Sequence, residues 1–195
     1  LARAFFGGCK EYANRRNPMT KRSLFGIVLA LVVVMAVVAP ASATPPTDVE
    51  GTYSLSASSL EYMEWQPAGN NCMLECGFTY PFEGDLVGEA TFHYSIMVHG
   101  PCTAEVPPPQ GVYYATLKAW GTFTGEVMGE SGAFTFTYEG REWPYGQPGD
   151  LGLLARIVIL SGTEELEGLH GVLDVTYMVG DSFDTYSGQI HFDPE

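Results

Sequence analysis

The chain has 195 residues, 23 of them acidic and nine basic, which bounds it to one domain or at most two small ones. From residue 44 onward only Lys118, Arg141 and Arg156 are basic, against 22 acidic side chains, a net charge near −19. Nucleic acid and anionic membrane surfaces are thereby excluded as partners, since both are bound through clustered Lys and Arg.

Residues 1–18 precede Met19, a natural start, and read as an upstream or disordered stretch, so Cys9 carries no role. Residues 19–43 have the three-part order of a secretory signal peptide. Lys21-Arg22 leads into an apolar run at 26–39, Pro40 ends it, and Ala41-Ser42-Ala43 supplies small residues for cleavage after Ala43. The uncharged run Ser23–Ala39 is 17 residues, shorter than the ~20 a spanning helix prefers. The expected location is therefore secreted or cell envelope, with an amino-terminal membrane anchor as the alternative.

Residues 44–195 read as a single all-β domain. Gly, Pro, Asn or Asp punctuates the chain every eight to twelve residues, between runs rich in Val, Ile, Thr, Tyr and Phe. Strands are predicted at 49–57, 59–66, 77–85, 89–99, 111–123, 132–139, 152–161, 171–179 and 185–193. No stretch carries a sustained helical apolar period. Phe92, Tyr94, Ile96 and Val98 alternate with polar residues, as do Phe134, Phe136 and Tyr138, the pattern of half-buried strands. The run Leu153–Leu160 is apolar on both faces apart from Arg156, and predicts a strand covered on both sides. Glycines at 125, 129, 132 and 180 suit hairpin turns, and Pro107-Pro108-Pro109 suits a stiff loop. So many strands without helices favour closure into an antiparallel β-barrel of about eight to nine strands, which removes exposed edges.

Three cysteines remain after the signal: Cys72, Cys76 and Cys102. Export permits a disulfide and the odd count leaves one thiol over. The expectation is one bond from Cys102 to Cys72 or Cys76, pinning the polar loop around Asn70-Asn71. Cys72-x3-Cys76 is too short a spacing to be informative as a zinc half-site and no second Cys or His pair stands at ligand spacing, so no metal or cofactor is expected.

The glycine-centred segments form an ordered series: Phe82-Glu-Gly84-Asp85-Leu86-Val-Gly88-Glu89, Trp120-Gly121-Thr-Phe123-Thr-Gly125, then Glu130-Ser131-Gly132-Ala-Phe134-Thr-Phe136. Gly162-Thr163-Glu-Glu165-Leu166-Glu-Gly168-Leu169-His-Gly171 closes it. Over roughly 49–193 this series resembles the bacterial DUF3224 family, a domain of unknown function whose fold is similar to the allene oxide cyclase barrel. The resemblance implies an allene oxide cyclase-like barrel. It departs from the family at Leu117-Lys118, where members often carry Glu-Arg, and at Tyr138, where they often carry His.

No motif specifies a reaction. His93 and His99 lie about 20 Å apart along one strand, and His170 and His191 read as solvated residues. Gly129-Glu-Ser131-Gly132 sits in a hairpin, unlike a nucleophile elbow. Glu164-Glu165-Glu167 and Asp181-x-x-Asp184 lack calcium-loop spacing and read as solvated turn carboxylates. The aromatic content, 3 Trp, 11 Tyr and 11 Phe, is the stronger signal. Tyr94, Tyr114, Trp120 and Tyr138 are candidate walls of a ligand pocket inside the barrel, and Arg156 a candidate for an anionic group there. The functional expectation is a non-catalytic domain that binds a small apolar ligand or serves as an envelope interaction domain. An isomerase or cyclase acting inside the barrel is the alternative, on fold analogy alone.

Overall fold

The computed structural model describes residues 45–54 and 58–193; the signal and upstream segments lie outside the described residues. Nine strands follow one another: β1 (Thr47–Ser54), β2 (Ser59–Ala68), β3 (Asn71–Gly84), β4 (Leu86–Val98) and β5 (Ala115–Val127), then β6 (Glu130–Glu142), β7 (Leu151–Glu164), β8 (Leu169–Met178) and β9 (Phe183–Phe192). Every pairing is antiparallel, and β2 through β9 form a meander.

Closure comes from β1, which pairs with β9 along its length and with β3 at Gly51–Tyr53. The ring is thus β1-β9-β8-β7-β6-β5-β4-β3, eight strands in all. β3 has two partners in succession: its first half, from Asn71 to Thr79, pairs with β2, and its end, from Phe82 to Gly84, pairs with β1. β2 therefore hangs outside the ring as a ninth strand, and most of its side chains are exposed.

Alternation decides which face is inside, as the pleat requires. On β4, Phe92 and Tyr94 point inward; on β6, Phe134, Phe136 and Tyr138 do so. Opposite these large rings, β5 offers Ala119 and Gly121. A Cβ on Gly121 would sit 2.5 Å from the Phe136 ring, so the rings occupy space that a side chain there would need. Phe92 lies at the centre, with ring centroids 4.7 Å from Phe136, 5.3 Å from Tyr80 and 5.4 Å from Tyr94. Such pairs contribute about 0.5–1.5 kcal/mol each beyond area burial. Eight strands leave an interior just wide enough for side chains to fill. The void between Phe82, Leu86, Phe123 and Leu173 is about 10 Å³, at the lower limit for a single water.

Two strand expectations need correction. β3 starts at Asn71, not 77, because Cys72, Leu74, Cys76, Phe78, Tyr80 and Phe82 continue one inward alternation. The cysteines thus sit in a strand, and only Gly69-Asn70 makes the turn. β7 is not covered on both sides: Leu154 and Leu160 are 46% and 47% exposed, because the described residues cover only the inner face of the ring. The hairpin between β5 and β6 is tighter than predicted, with Met128 (φ 53°) and Gly129 (φ 92°) as its two turn residues, the pairing a type I′ turn needs.

Cys72 is bonded to Cys102 with Cα atoms 5.6 Å apart, and Cys76 is a buried free thiol. The bond ties β3 to the loop between β4 and β5. The Trp65 indole N–H donates to the Thr103 carbonyl at 3.1 Å and holds the same loop.

Candidate functional site

The end of the barrel where β4, β6 and β8 finish is the polar one. There Tyr53 of β1, Tyr80 of β3, Tyr94 of β4 and Tyr138 of β6 converge on Asp184 of β9. Asp184 is the sole charged residue among the buried side chains described. Tyr53 and Asp184 are a direct cross-strand pair. Burial pushes the Asp184 carboxyl up to about 6, eased by the adjoining Tyr53 phenol. Desolvation also raises all four phenols, which stay neutral at physiological pH. Tyr53 Oη and Asp184 Oδ1 are close enough to influence each other, yet neither has a well-aligned hydrogen bond, and neither does Glu142 Oε1 nearby. All three are buried polar atoms with unused hydrogen-bonding capacity, which native cores rarely keep.

The outer face is ordered in rows, because residues paired across strands stand side by side. A hydroxyl row runs Thr79–Thr91–Thr122–Thr135–Ser161, with Thr79 and Thr91 Oγ1 3.1 Å apart and Thr135 and Ser161 hydroxyls 2.9 Å apart. Two residues along the strands comes an aromatic row. Tyr62 crosses the bare Gly77 to reach His93 (centroids 6.3 Å), and His93 stacks on Trp120 at 5.7 Å. Next is a charged row, Ser95–Lys118–Glu139–Arg156–Asp174. Lys118 Nζ lies 3.6 Å from Glu139, and Arg156 is bound to Asp174 at 2.9 Å. The last row is Met73–Met97–Thr116–Arg141–Leu154. Together the last two rows, with Trp143 at their end, form an open groove of about 890 Å³.

The five pocket residues expected from sequence divide between these two places. Tyr94 and Tyr138 are interior. Trp120 is 57% exposed on the outer face, because Ala119 and Gly121 take the inward positions on β5. Tyr114 precedes β5, half-buried, its ring 5.2 Å from His99 and 6.3 Å from Trp143. Arg156 is exposed and ion-paired, so it meets no interior ligand. Of the residues that depart from the family pattern, Leu117 and Tyr138 point inward and Lys118 outward.

Sequence reasoning missed Asp184, read as a turn carboxylate, and Arg141. The parity of Asp184, Tyr186 and Ile190 along β9 was the available signal for the first: all three share the buried face. Among the described residues no cluster of three His, Cys, Asp or Glu side chains is placed to hold a metal.

A closed antiparallel ring of eight strands, filled by its own aromatic side chains, defines a small β-barrel domain. The chain belongs to the DUF3224 family, described as a protein of unknown function, whose model matches residues 49–187. A solved structure of a protein with unknown function from that family, from Shewanella oneidensis MR-1, is similar at a TM-score of 0.54 and 19% identity. The match covers 77% of this chain and 100% of that one, and at that identity it bears on the fold alone. No curated protein matches in sequence.

Proposed function

We propose that this is an exported, non-catalytic interaction domain that meets its partner with the outer face of the barrel. One observation carries the reading: Lys118, Arg141 and Arg156, all the basic side chains of residues 44–195, line a single outer groove. In so acidic a domain this groove is where the three cations gather, beside Glu139 and Asp174. The packing of the interior supports the same reading, since the void between Phe82, Leu86, Phe123 and Leu173 is about 10 Å³, too small for an apolar ligand at that place. A disulfide suits an oxidising compartment.

The test is co-sedimentation of the purified protein with isolated cell envelopes. Retention that is lost in Trp120→Ala/Arg141→Gln and kept in Asp184→Asn is the expected result. Saturable uptake of the neutral fluorophore N-phenyl-1-naphthylamine, abolished by Asp184→Asn, would instead place function inside the barrel. A second reading, an isomerase or cyclase, draws on Asp184: a carboxyl titrating near 6 beside phenols can move a proton at neutral pH. It requires room beside that carboxyl, and the fluorophore measures that room.

A further inference from the structure

Resting on the surface reading above, the geometry points to a ligand class: we infer that the outer face of β4–β7 binds a glycan carrying uronate carboxylates.

Charge is the first argument. Lys118 and Arg156 each have a carboxylate in register on the next strand, Glu139 and Asp174, at ion-pair distance. Arg141 has neither. Its cross-strand neighbours are Thr116 and Leu154, and among the described residues no carboxylate lies within ion-pair reach. In a domain with 22 acidic side chains, an exposed guanidinium without a carboxylate partner has capacity for an external one. Guanidinium groups bind carboxylates through two parallel hydrogen bonds, which fixes orientation as well as charge. Exposed pairs such as Lys118–Glu139 are weak and yield readily to a competing anion. At physiological salt the acidic remainder of the surface is screened beyond about 8 Å, so the groove's own charges, Lys118, Arg141 and Arg156 against Glu139 and Asp174, decide what can settle there.

The second argument concerns the body of the ligand. The groove runs between exposed or half-exposed aromatic rings. Trp143, with Tyr114 beside it, lines one end, and Trp120, with His93 and Tyr62, stands just outside the other end, in the row next to Lys118. Thr137, in the Trp120 row, and Trp143 are six residues apart on and just beyond β6, or about 20 Å of extended chain. Flat rings on a rigid sheet offer faces on which the C–H faces of a pyranose can lie, and the hydroxyl row beyond Trp120 offers donors and acceptors to its hydroxyls. An anionic lipid would need an enclosed apolar channel for its tail, and this groove is open. An acidic peptide would meet the cations but has no use for aromatic platforms at both ends.

The experiment is isothermal titration of the purified protein with tetragalacturonate, with tryptophan emission followed in parallel. Cellotetraose serves as the neutral control and a short polyglutamate as the acidic one. Binding of tetragalacturonate with a shift in emission is expected, with cellotetraose and polyglutamate at least tenfold weaker. Arg141→Gln should weaken binding about tenfold, and Trp143→Ala should reduce both affinity and the emission shift. Arg141 is exposed and Trp143 half-buried, and circular dichroism of both variants checks the fold. Equal binding of cellotetraose would overturn the uronate assignment while leaving the surface reading in place. Equal binding of polyglutamate would overturn the glycan assignment. No binding of any of the three, together with Asp184-dependent uptake of N-phenyl-1-naphthylamine, would overturn both.

Discussion

Tyr53 and Asp184 face each other across β1 and β9, both inside the barrel, without a well-aligned hydrogen bond between them. A carboxyl held there is disfavoured as the anion, which is why burial moves it up to about 6.

The sign of the resulting pH dependence follows. In the unfolded chain Asp184 ionises near pH 3.9; in the fold it keeps its proton until about 6. Between those values the unfolded state binds fewer protons, so this residue's contribution to stability falls as pH rises and levels off above the upper value. Asp184→Asn removes the effect. Its stability relative to the native protein should therefore grow by about 2 kcal/mol between pH 4 and pH 7. Urea denaturation at the two pH values measures it; a pH-independent difference would mean that the carboxyl is solvated.

Phe92 touches the rings of Tyr80, Tyr94, Phe136 and Tyr138. Phe92→Ala should cost about 3–5 kcal/mol, the range for a large buried ring replaced by a cavity, read from the shift of the urea midpoint.

Trp120→Ala should cost less than about 1 kcal/mol, since the side chain stands outside the core and contributes one stacking contact with His93. A loss as large as that of Phe92→Ala would mean that the indole is buried.

Cys102→Ser opens a link spanning 30 residues and should cost about 3–4 kcal/mol in the chain-entropy model. Cys76 should resist alkylation at pH 8 in the folded protein and react only on unfolding, because burial pushes its thiol up to about 11. Mass spectrometry of the Cys76 peptide, with and without denaturant, reads the difference.

Strand number and all-β class were legible because alternation is a local property, and Phe92, Tyr94, Phe136 and Tyr138 kept to it. The site was less legible because parity names a face without saying which face is inside. Trp120 has the size of a core residue, and only the small Ala119 and Gly121 on either side of it reveal that β5 turns its other face inward. Asp184 was assigned to a turn because polar composition overrode the parity it shares with Tyr186. Arg141 gains its meaning from Thr116 and Leu154 on neighbouring strands, a lateral relationship that no one-dimensional pattern contains.

The strand that seals the ring is the first of the described strands, and its main partner is the last of them. A chain synthesised from its amino end can zip β3 to β8 by successive hairpins, but until β9 emerges β1 has only its three pairs with β3 to hold it. A product truncated before Phe183 lacks β9, so β1 and β8 both lose their pairing with it, and it lacks Asp184 altogether. Closure thus couples the two ends of the barrel: β1 and β9 cover each other's edges in one late pairing, and β2 is left as the remaining edge strand among the described residues.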